Sequence, residues 1–295
     1  MRRGRQDPDA VTPGRRGAAR EQRTAGGAVG GAGRGRARLH ARRGARNPGA
    51  SRCRAARHRR QARSGRCAAL ARARFVVSVG GDGTLLTASH HIRMGALLGV
   101  NSAPRDSVGY LALARRATIP KTLDAIAAGI LKPVPVTRLS VTLDGVALPE
   151  AGLNDVLFAH QHPAATSRYL VRLGRQAEEH RSSGLWISTA AGSTAGIRSS
   201  GGAVLPLRSR RLQFRARELY RRPGAEYRLA VGFLAPGEEL VVESQMDSGW
   251  LYLDGSRVAY PFPFGARAEV RSLPEPLFLF ADPRRWVAGK ARVMS

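Results

Sequence analysis

The chain has 295 residues and a formal net charge of +28, which is long enough for two domains. No apolar run approaches the roughly 18 residues of a membrane span, and no apolar core follows the basic start, as a secretory signal requires. Both cysteines, Cys53 and Cys67, lie in the first quarter, which removes disulfides and cysteine-ligated zinc from the rest of the chain.

The charge is uneven. Residues 1–74 contain 22 arginines, no lysine and three acids (Asp7, Asp9, Glu21), so this segment carries +19 and the remainder only +9. Its large apolar residues are Val11, Val29, Leu39 and Leu70, apart from Met1. Such a segment cannot bury enough surface to offset its chain entropy, so it reads as disordered. A basic tail for nucleic acid or membrane fits the charge. A transit peptide calls for more serines than Ser51 and Ser64. Arg, Ala, Gly and Pro also dominate when a GC-rich gene is translated in the wrong frame or from too early a start, and that reading is favoured here. The moderately basic remainder suits a protein that handles polyphosphates, rather than one that binds nucleic acid or membrane.

Protein-like sequence begins at Phe75. An apolar strand, Phe75 to Val79, runs into Gly80-Gly81-Asp82-Gly83-Thr84. Glycines let backbone amides approach a phosphate that a Cβ would block. Leu85, Leu86, Ala88 and Ile92 have helical spacing, so a helix N-terminus faces the same spot, with Thr84 able to cap it. A single carboxylate beside a phosphate cradle suits deprotonation of a hydroxyl or a metal. Gly-Gly-Asp-Gly also makes ordinary strand-to-helix turns.

Leu97 to Val100 reads as a short buried strand ending at Asn101. A helix follows, capped by Thr118 with Pro120 in its first turn and with Leu123, Ile126, Ala127 and Ile130 on one face. From Lys132 the pattern changes. Leu139, Val141 and Leu143 alternate with polar residues, Asp144-Gly145 turns, and Val146 and Leu148 continue, which is a hairpin signature. Similar strands recur at 169–173, 185–188, 239–244 and 250–253. The expected class is α/β plus all-β. A truncated Rossmann-like α/β domain (75–131) precedes a β-rich, sandwich-like domain (132–272), with the disordered Arg-rich segment (1–74) before them and a C-terminal segment (273–295) after.

Three further segments carry chemistry. Residues 183–202 form a strand running into a loop of Ser, Thr, Ala and Gly, which either presents amides and hydroxyls to a polar ligand or is a flexible turn. Asn154-Asp155 interrupts an apolar run and either binds a ligand or satisfies a local turn. Asp254-Gly255 is most simply a hairpin turn. His90, His91, His160 and His162 lack the spacing of a metal site.

These segments, in this order, resemble the NAD kinase family over most of residues 75–272. Gly-Gly-Asp-Gly alone is shared with diacylglycerol and sphingosine kinases and phosphofructokinases. Asn101 to Leu111 looks like the longer form found in mitochondrial-type NAD kinases and their bacterial relatives. The resemblance implies transfer of a phosphoryl group from ATP or polyphosphate, with Mg²⁺ and no tightly bound cofactor, to the 2′-hydroxyl of the adenosine ribose of NAD(H). It implies Asp82 as general base, with Gly81 and Gly83 near phosphates. Tyr110 falls near adenine, Asn154 and Asp155 on the dinucleotide, Thr194, Ala195 and Ser199 in the adenine pocket, and Asp254 at the edge of the active site. It also implies a homo-oligomer, a dimer first, and with neither span nor signal a soluble, cytoplasmic protein is the expectation. A lipid or other small-molecule kinase with the same turn, and a non-catalytic nucleotide-binding protein, are the competing readings.

The sequence departs from the family in three places. Gly196 stands where the family usually has Tyr or another bulky residue, and Ser183-Gly184 stands where Asp-Gly is usual. The family also places a strand–helix–strand unit before the Asp82 strand, which the composition of residues 1–74 does not supply. The expectation is an uncovered sheet edge at that point, and a chain that folds poorly or is inactive as written, while the correctly framed gene product is a working kinase.

Overall fold

A computed structural model of the chain describes residues 69–105 and 108–287. The cysteines and most of the Arg-rich segment lie outside these residues. The first sheet is assembled from β1 (Phe75–Gly80), β2 (Ala96–Asn101), β17 (Leu277–Phe280) and β4 (Val134–Val136), in that order, with the short β3 (Ala114–Arg115) beside β2. β1, β2 and β17 run parallel, and β4 closes antiparallel on β17. Every residue of β2 after Ala96 is buried, as a central parallel strand covered on both faces requires.

Helix α1 (Asp82–Ser89) packs one face of this sheet through Leu85 and Leu86, in a core shared with Val76, Leu97 and Leu279. Helix α2 (Ile119–Ala127) covers the other face, where Leu98, Val100 and Phe280 meet Ile119 and Ile126. β1 is the last strand of its sheet among the described residues. Its outward side chains Phe75, Val77 and Val79 are 41%, 42% and 59% exposed.

The remaining strands form two six-stranded antiparallel sheets. One has the order β12 (Val231–Leu234), β11 (Leu212–Arg217), β10 (Gly184–Ser188), β7 (Asp155–His160), β14 (Gly249–Leu253), β15 (Val258–Pro261). The other has the order β6 (Val146–Ala147), β5 (Leu139–Leu143), β16 (Arg267–Ser272), β13 (Glu239–Ser244), β8 (Ser167–Leu173), β9 (Gln176–Ser182). Val156, Phe158, Leu185 and Leu251 of the first meet Val141, Val171, Leu240 and Val270 of the second in one core, so the region is a sandwich.

The structure departs from the sequence reading in three places. A cut at 131/132 and another at 272/273 separate β4 and β17 from the first sheet, yet both belong to it. Pairing between strands about 140 residues apart leaves no local signature. Thr84 is not the cap of α1: the helix begins at Asp82 and Gly81 precedes it in extended conformation, its carbonyl accepting from Thr84 and Leu85. Thr118 does precede α2, but its hydroxyl bonds Arg115 instead of the helix amides. Among the described residues no helix is long and apolar enough to cross a membrane.

Candidate active site

β1 delivers the Gly-Gly-Asp-Gly turn directly into α1. Gly80 is required by packing, since a Cβ there meets Thr84 Oγ1 at 2.5 Å. No packing among the described residues requires Gly83: a Cβ there finds no atom within 4 Å. The turn therefore opens onto free space beside the first turn of a helix, an arrangement that receives anions.

Asp82 is the first helical residue, and its carboxylate is turned back across the mouth of the sheet. Oδ2 accepts from the Tyr110 amide at 2.8 Å and Oδ1 from the Leu111 amide at 2.9 Å. Both oxygens keep a further lone pair for a hydroxyl donor. The loop that provides the two amides is shaped by Gly109, whose φ of +59° favours glycine. A Cβ there also meets the buried Asn101 side chain at 2.3 Å.

Asp254 occupies the hairpin turn between β14 and β15, with φ +51° followed by Gly255 at +99°. The turn reading applies, and its carboxylate folds inward and is fully buried. Oδ1 accepts from the Asn154 and Asp155 amides at 2.7 and 3.0 Å, and Oδ2 from the Leu153 amide at 2.8 Å. His90 Nε2, just past the end of α1, lies 2.8 Å from the same Oδ2. Asp254 thus fastens the Asn154-Asp155 segment and α1 to one point.

Asp155 is buried, and burial first, then the negative charge of Asp254, pushes its carboxyl up to about 8. This shift favours the neutral acid over the carboxylate. The Asn154 side-chain oxygen is buried without a partner, as expected of a group that waits for a ligand donor.

The Ser/Thr/Gly loop crosses directly over Asn154. Gly192 makes this possible, because a Cβ there lies 2.2 Å from the Asn154 carbonyl oxygen. The Thr189 amide donates to that carbonyl at 2.9 Å, and the Thr189 hydroxyl donates to the Leu153 carbonyl. Thr194 and Ala195 are half-buried at the loop's crest, where a short helix α3 (Gly196–Ser199) begins, and Ser199 is exposed at its end. The structure therefore holds Asp82 with Tyr110 in one hydrogen-bonded cluster at the start of α1 and Asn154, Asp155 and Asp254 in a second one joined to the end of α1 through His90, with the Ser/Thr/Gly loop laid across Asn154.

Gly196 has a local explanation. A Cβ at 196 meets the Trp186 ring at 2.8 Å, so the indole fills the space beside it. Trp186 also lines a cavity of about 510 Å³ with Leu157, Tyr252, His160 and Arg217, and the Arg217 guanidinium lies 5.8 Å from its ring. Asp82, Asn154 and Thr194 do not line that cavity. No group of three or more His, Cys, Asp or Glu able to hold a metal occurs among the described residues.

Four residues around these clusters carry no motif. His90 lacks metal-site spacing in the sequence, and nothing there points to its contact with Asp254. Arg138 is buried and donates to the Ile92 carbonyl at 2.8 Å, just beyond α1, an end that has no basic residue of its own. Arg285 and Trp286 come from the 3-10 turn Pro283–Trp286, which is capped by Asp282 and packs against the loop that holds Asp82. The Asp282-Pro283 pair is a legible helix start, but nothing in the sequence tells where that turn docks.

The chain matches other proteins over much of its length. Residues 35–130 match the family described as ATP-NAD kinase N-terminal domain, a match that begins forty residues before Phe75. A probable NADH kinase of Oryza sativa is 38% identical over 219 residues, covering 67% of each chain. An NADH kinase of Arabidopsis thaliana is 37% identical over 220 residues, covering 67% of this chain and 69% of its own. An NAD kinase from Archaeoglobus fulgidus, solved in complex with ATP, superposes with a TM-score of 0.60 at 21% identity, over 72% of this chain and 80% of its own. Yeast NADH kinase, solved with NADH, superposes with a TM-score of 0.64 at 16% identity, over 76% of this chain and 69% of its own.

An α/β layer that ends in a carboxylate-bearing glycine turn and leans on a β-sandwich defines a two-domain phosphotransferase. Identity at this level over two thirds of the plant relatives narrows the class. The chain belongs to the NAD kinase family.

Proposed function

We propose that the chain transfers the terminal phosphoryl group of ATP to the 2′-hydroxyl of the adenosine ribose of NAD or NADH, with Asp82 as general base. The observation that carries this reading is the Asp82 carboxylate, fixed through both oxygens by the Tyr110 and Leu111 amides beside the open space at Gly83. A carboxylate so fixed orients a hydroxyl and accepts its proton as the oxygen attacks the γ-phosphorus. The bond to the ADP oxygen breaks in line, and ADP leaves. In-line phosphoryl transfer requires mainly positioning and charge neutralisation. The divalent metal, Mg²⁺, enters as the complex with the donor nucleotide, and the glycine turn receives the phosphates.

The other site residues divide by what they touch. Gly81 and Gly83 border the phosphates. Asn154 and Asp155 hold the dinucleotide by hydrogen bonds, and Thr194, Ala195 and Ser199 line its adenine end. Tyr110 contributes the edge of that pocket with its ring packed on Trp286. Asp254, whose oxygens are occupied by three amides and His90, positions Asn154 and Asp155 without touching substrate. Polyphosphate is a second donor to test, a homodimer is the expected assembly, and the cytoplasm is the expected location.

The test incubates the full chain with NAD or NADH, ATP or polyphosphate, and Mg²⁺, and follows NADP or NADPH. Asp82→Asn is expected to lose at least about 10²-fold in kcat with its fold intact. Retention of the wild-type rate by that variant would falsify the assignment of the base. A diacylglycerol or sphingosine substrate turned over in place of the dinucleotide would move the protein to the lipid-kinase class.

A further inference from the structure

The two amides that hold Asp82 belong to two consecutive peptide units. The carbonyls at the far ends of those same units are those of Gly109 and Tyr110. Both carbonyls accept from one nitrogen of Arg285: Nη1 lies 3.0 Å from the Gly109 oxygen and 2.9 Å from the Tyr110 oxygen. The Ala112 oxygen is a third acceptor at 3.0 Å, so two protons are shared among three carbonyls. A cation and a carboxylate therefore sit at opposite ends of the same two peptide groups.

A cation on a peptide oxygen draws density from the N–H and strengthens what that N–H donates. We infer that Arg285 is a positioning residue for Asp82, acting through the Gly109–Tyr110 and Tyr110–Leu111 peptide units. It aligns both amides on the carboxylate and fixes the carboxylate's aim. This rests on the reading of Asp82 as the base.

Three features of the surroundings support the role. The neighbouring carboxylate, Asp282, is taken by Arg284 at 2.8 Å, which leaves Arg285 to the carbonyls. The Tyr110 hydroxyl donates to the Arg285 carbonyl, and the Tyr110 ring meets Trp286 edge-on at 5.0 Å, so the loop and the turn grip each other from both sides. Trp286 Nε1 donates to the Ala191 carbonyl at 3.1 Å, which ties the same turn to the Ser/Thr/Gly loop. All three carbonyls are met by the single nitrogen Nη1, so a lysine ammonium that reaches the same point keeps part of the contact.

The experiment compares full-length wild type, Asp82→Asn, Arg285→Met, Arg285→Lys and Arg285→Ala, each labelled with ¹⁵N-Tyr and ¹⁵N-Leu. For Arg285→Met, kcat is expected to fall about 10–100-fold, with KM for NAD and ATP changed less than about threefold. Arg285→Lys recovers part of the loss, and millimolar guanidinium restores part of it in Arg285→Ala. Independently of turnover, the Tyr110 and Leu111 amide protons move upfield in Arg285→Met while most other Tyr and Leu signals stay in place. Wild-type kcat with unmoved Tyr110 and Leu111 signals overturns the inference. So does a loss accompanied by shifts of all signals, which marks a general structural role. If Asp82→Asn keeps full activity, the base reading fails by itself, and the amide shifts alone then decide whether Arg285 acts on this loop.

Discussion

His90 and Asp254 meet at 2.8 Å across 164 residues of sequence, and both side chains are buried. The contact joins the helix that carries Asp82 to the hairpin turn that supports Asn154 and Asp155. One carboxylate therefore ties the end of that helix to the Asn154-Asp155 segment. Asp254→Ala leaves the amides of Leu153, Asn154 and Asp155 without their acceptor in a buried setting. A loss of about 3 kcal/mol or more is expected in urea unfolding. His90→Phe removes a single contact and is expected to cost about 1–3 kcal/mol. A midpoint for Asp254→Ala within error of wild type would show that water replaces the carboxylate without cost.

Asp155 gives the fold a pH dependence. Its carboxyl is pushed from the ordinary 3.8 up to about 8 by burial, with Asp254 adding to the shift. Between these values the folded chain keeps a proton that the unfolded chain releases. The associated stability is fully present below about pH 4 and is lost as the pH rises through 8. Asp155→Asn stays neutral throughout. The slope of Tm against pH from 5 to 8 should flatten in that variant, and an unchanged slope would mean that Asp155 is ionised in the fold.

Gly83 and Gly192 separate function from packing. Alanine at Gly83, within α1, meets no atom within 4 Å, so the unfolding free energy should stay the same or rise by up to about 1 kcal/mol. Its methyl projects into the proposed phosphate space, so KM for ATP should rise. Alanine at Gly192 meets backbone at 2.2 Å, and neither partner is a flexible side chain. A stability loss of about 1–3 kcal/mol is expected there, read from thermal unfolding. Equal effects at the two positions would contradict this division.

Trp186 and Gly196 should compensate each other. A tyrosine at 196 collides with the Trp186 ring and is expected to destabilise the fold by about 1–3 kcal/mol. Trp186→Ala, which leaves a void, is expected to do the same or worse. The double variant Gly196→Tyr/Trp186→Ala refills the space and should recover at least half of the summed loss in a double-mutant cycle. Strict additivity would show that the two sites do not share that volume.

Each site segment was legible because its chemistry is local. Three glycines around Asp82 announce a tight turn and an exposed carboxylate whatever surrounds them. Asn154-Asp155, the Ser/Thr/Gly loop and Asp254-Gly255 stand out for the same reason: polar or small residues interrupt apolar runs. Alternation likewise marked β5, β8, β10, β13 and β14. β9 was missed because it carries mostly polar residues, Gln176 to Ser182, at the outer edge of its sheet.

The sequence by itself determined where the turns fall, which residues could bear chemistry, and that an α/β unit precedes a β-rich one. It also carried the resemblance to the kinase family. Tertiary structure alone decided what each group touches. It returned β17 to the first sheet, and with it Arg285 to the back of the loop that holds Asp82. It gave the Asp254 carboxylate three amide donors, and it buried Asp155 beside that charge, which raises its carboxyl. Those outcomes depend on which strands pair across more than a hundred residues and on the dielectric inside the fold, and neither has a local pattern to read.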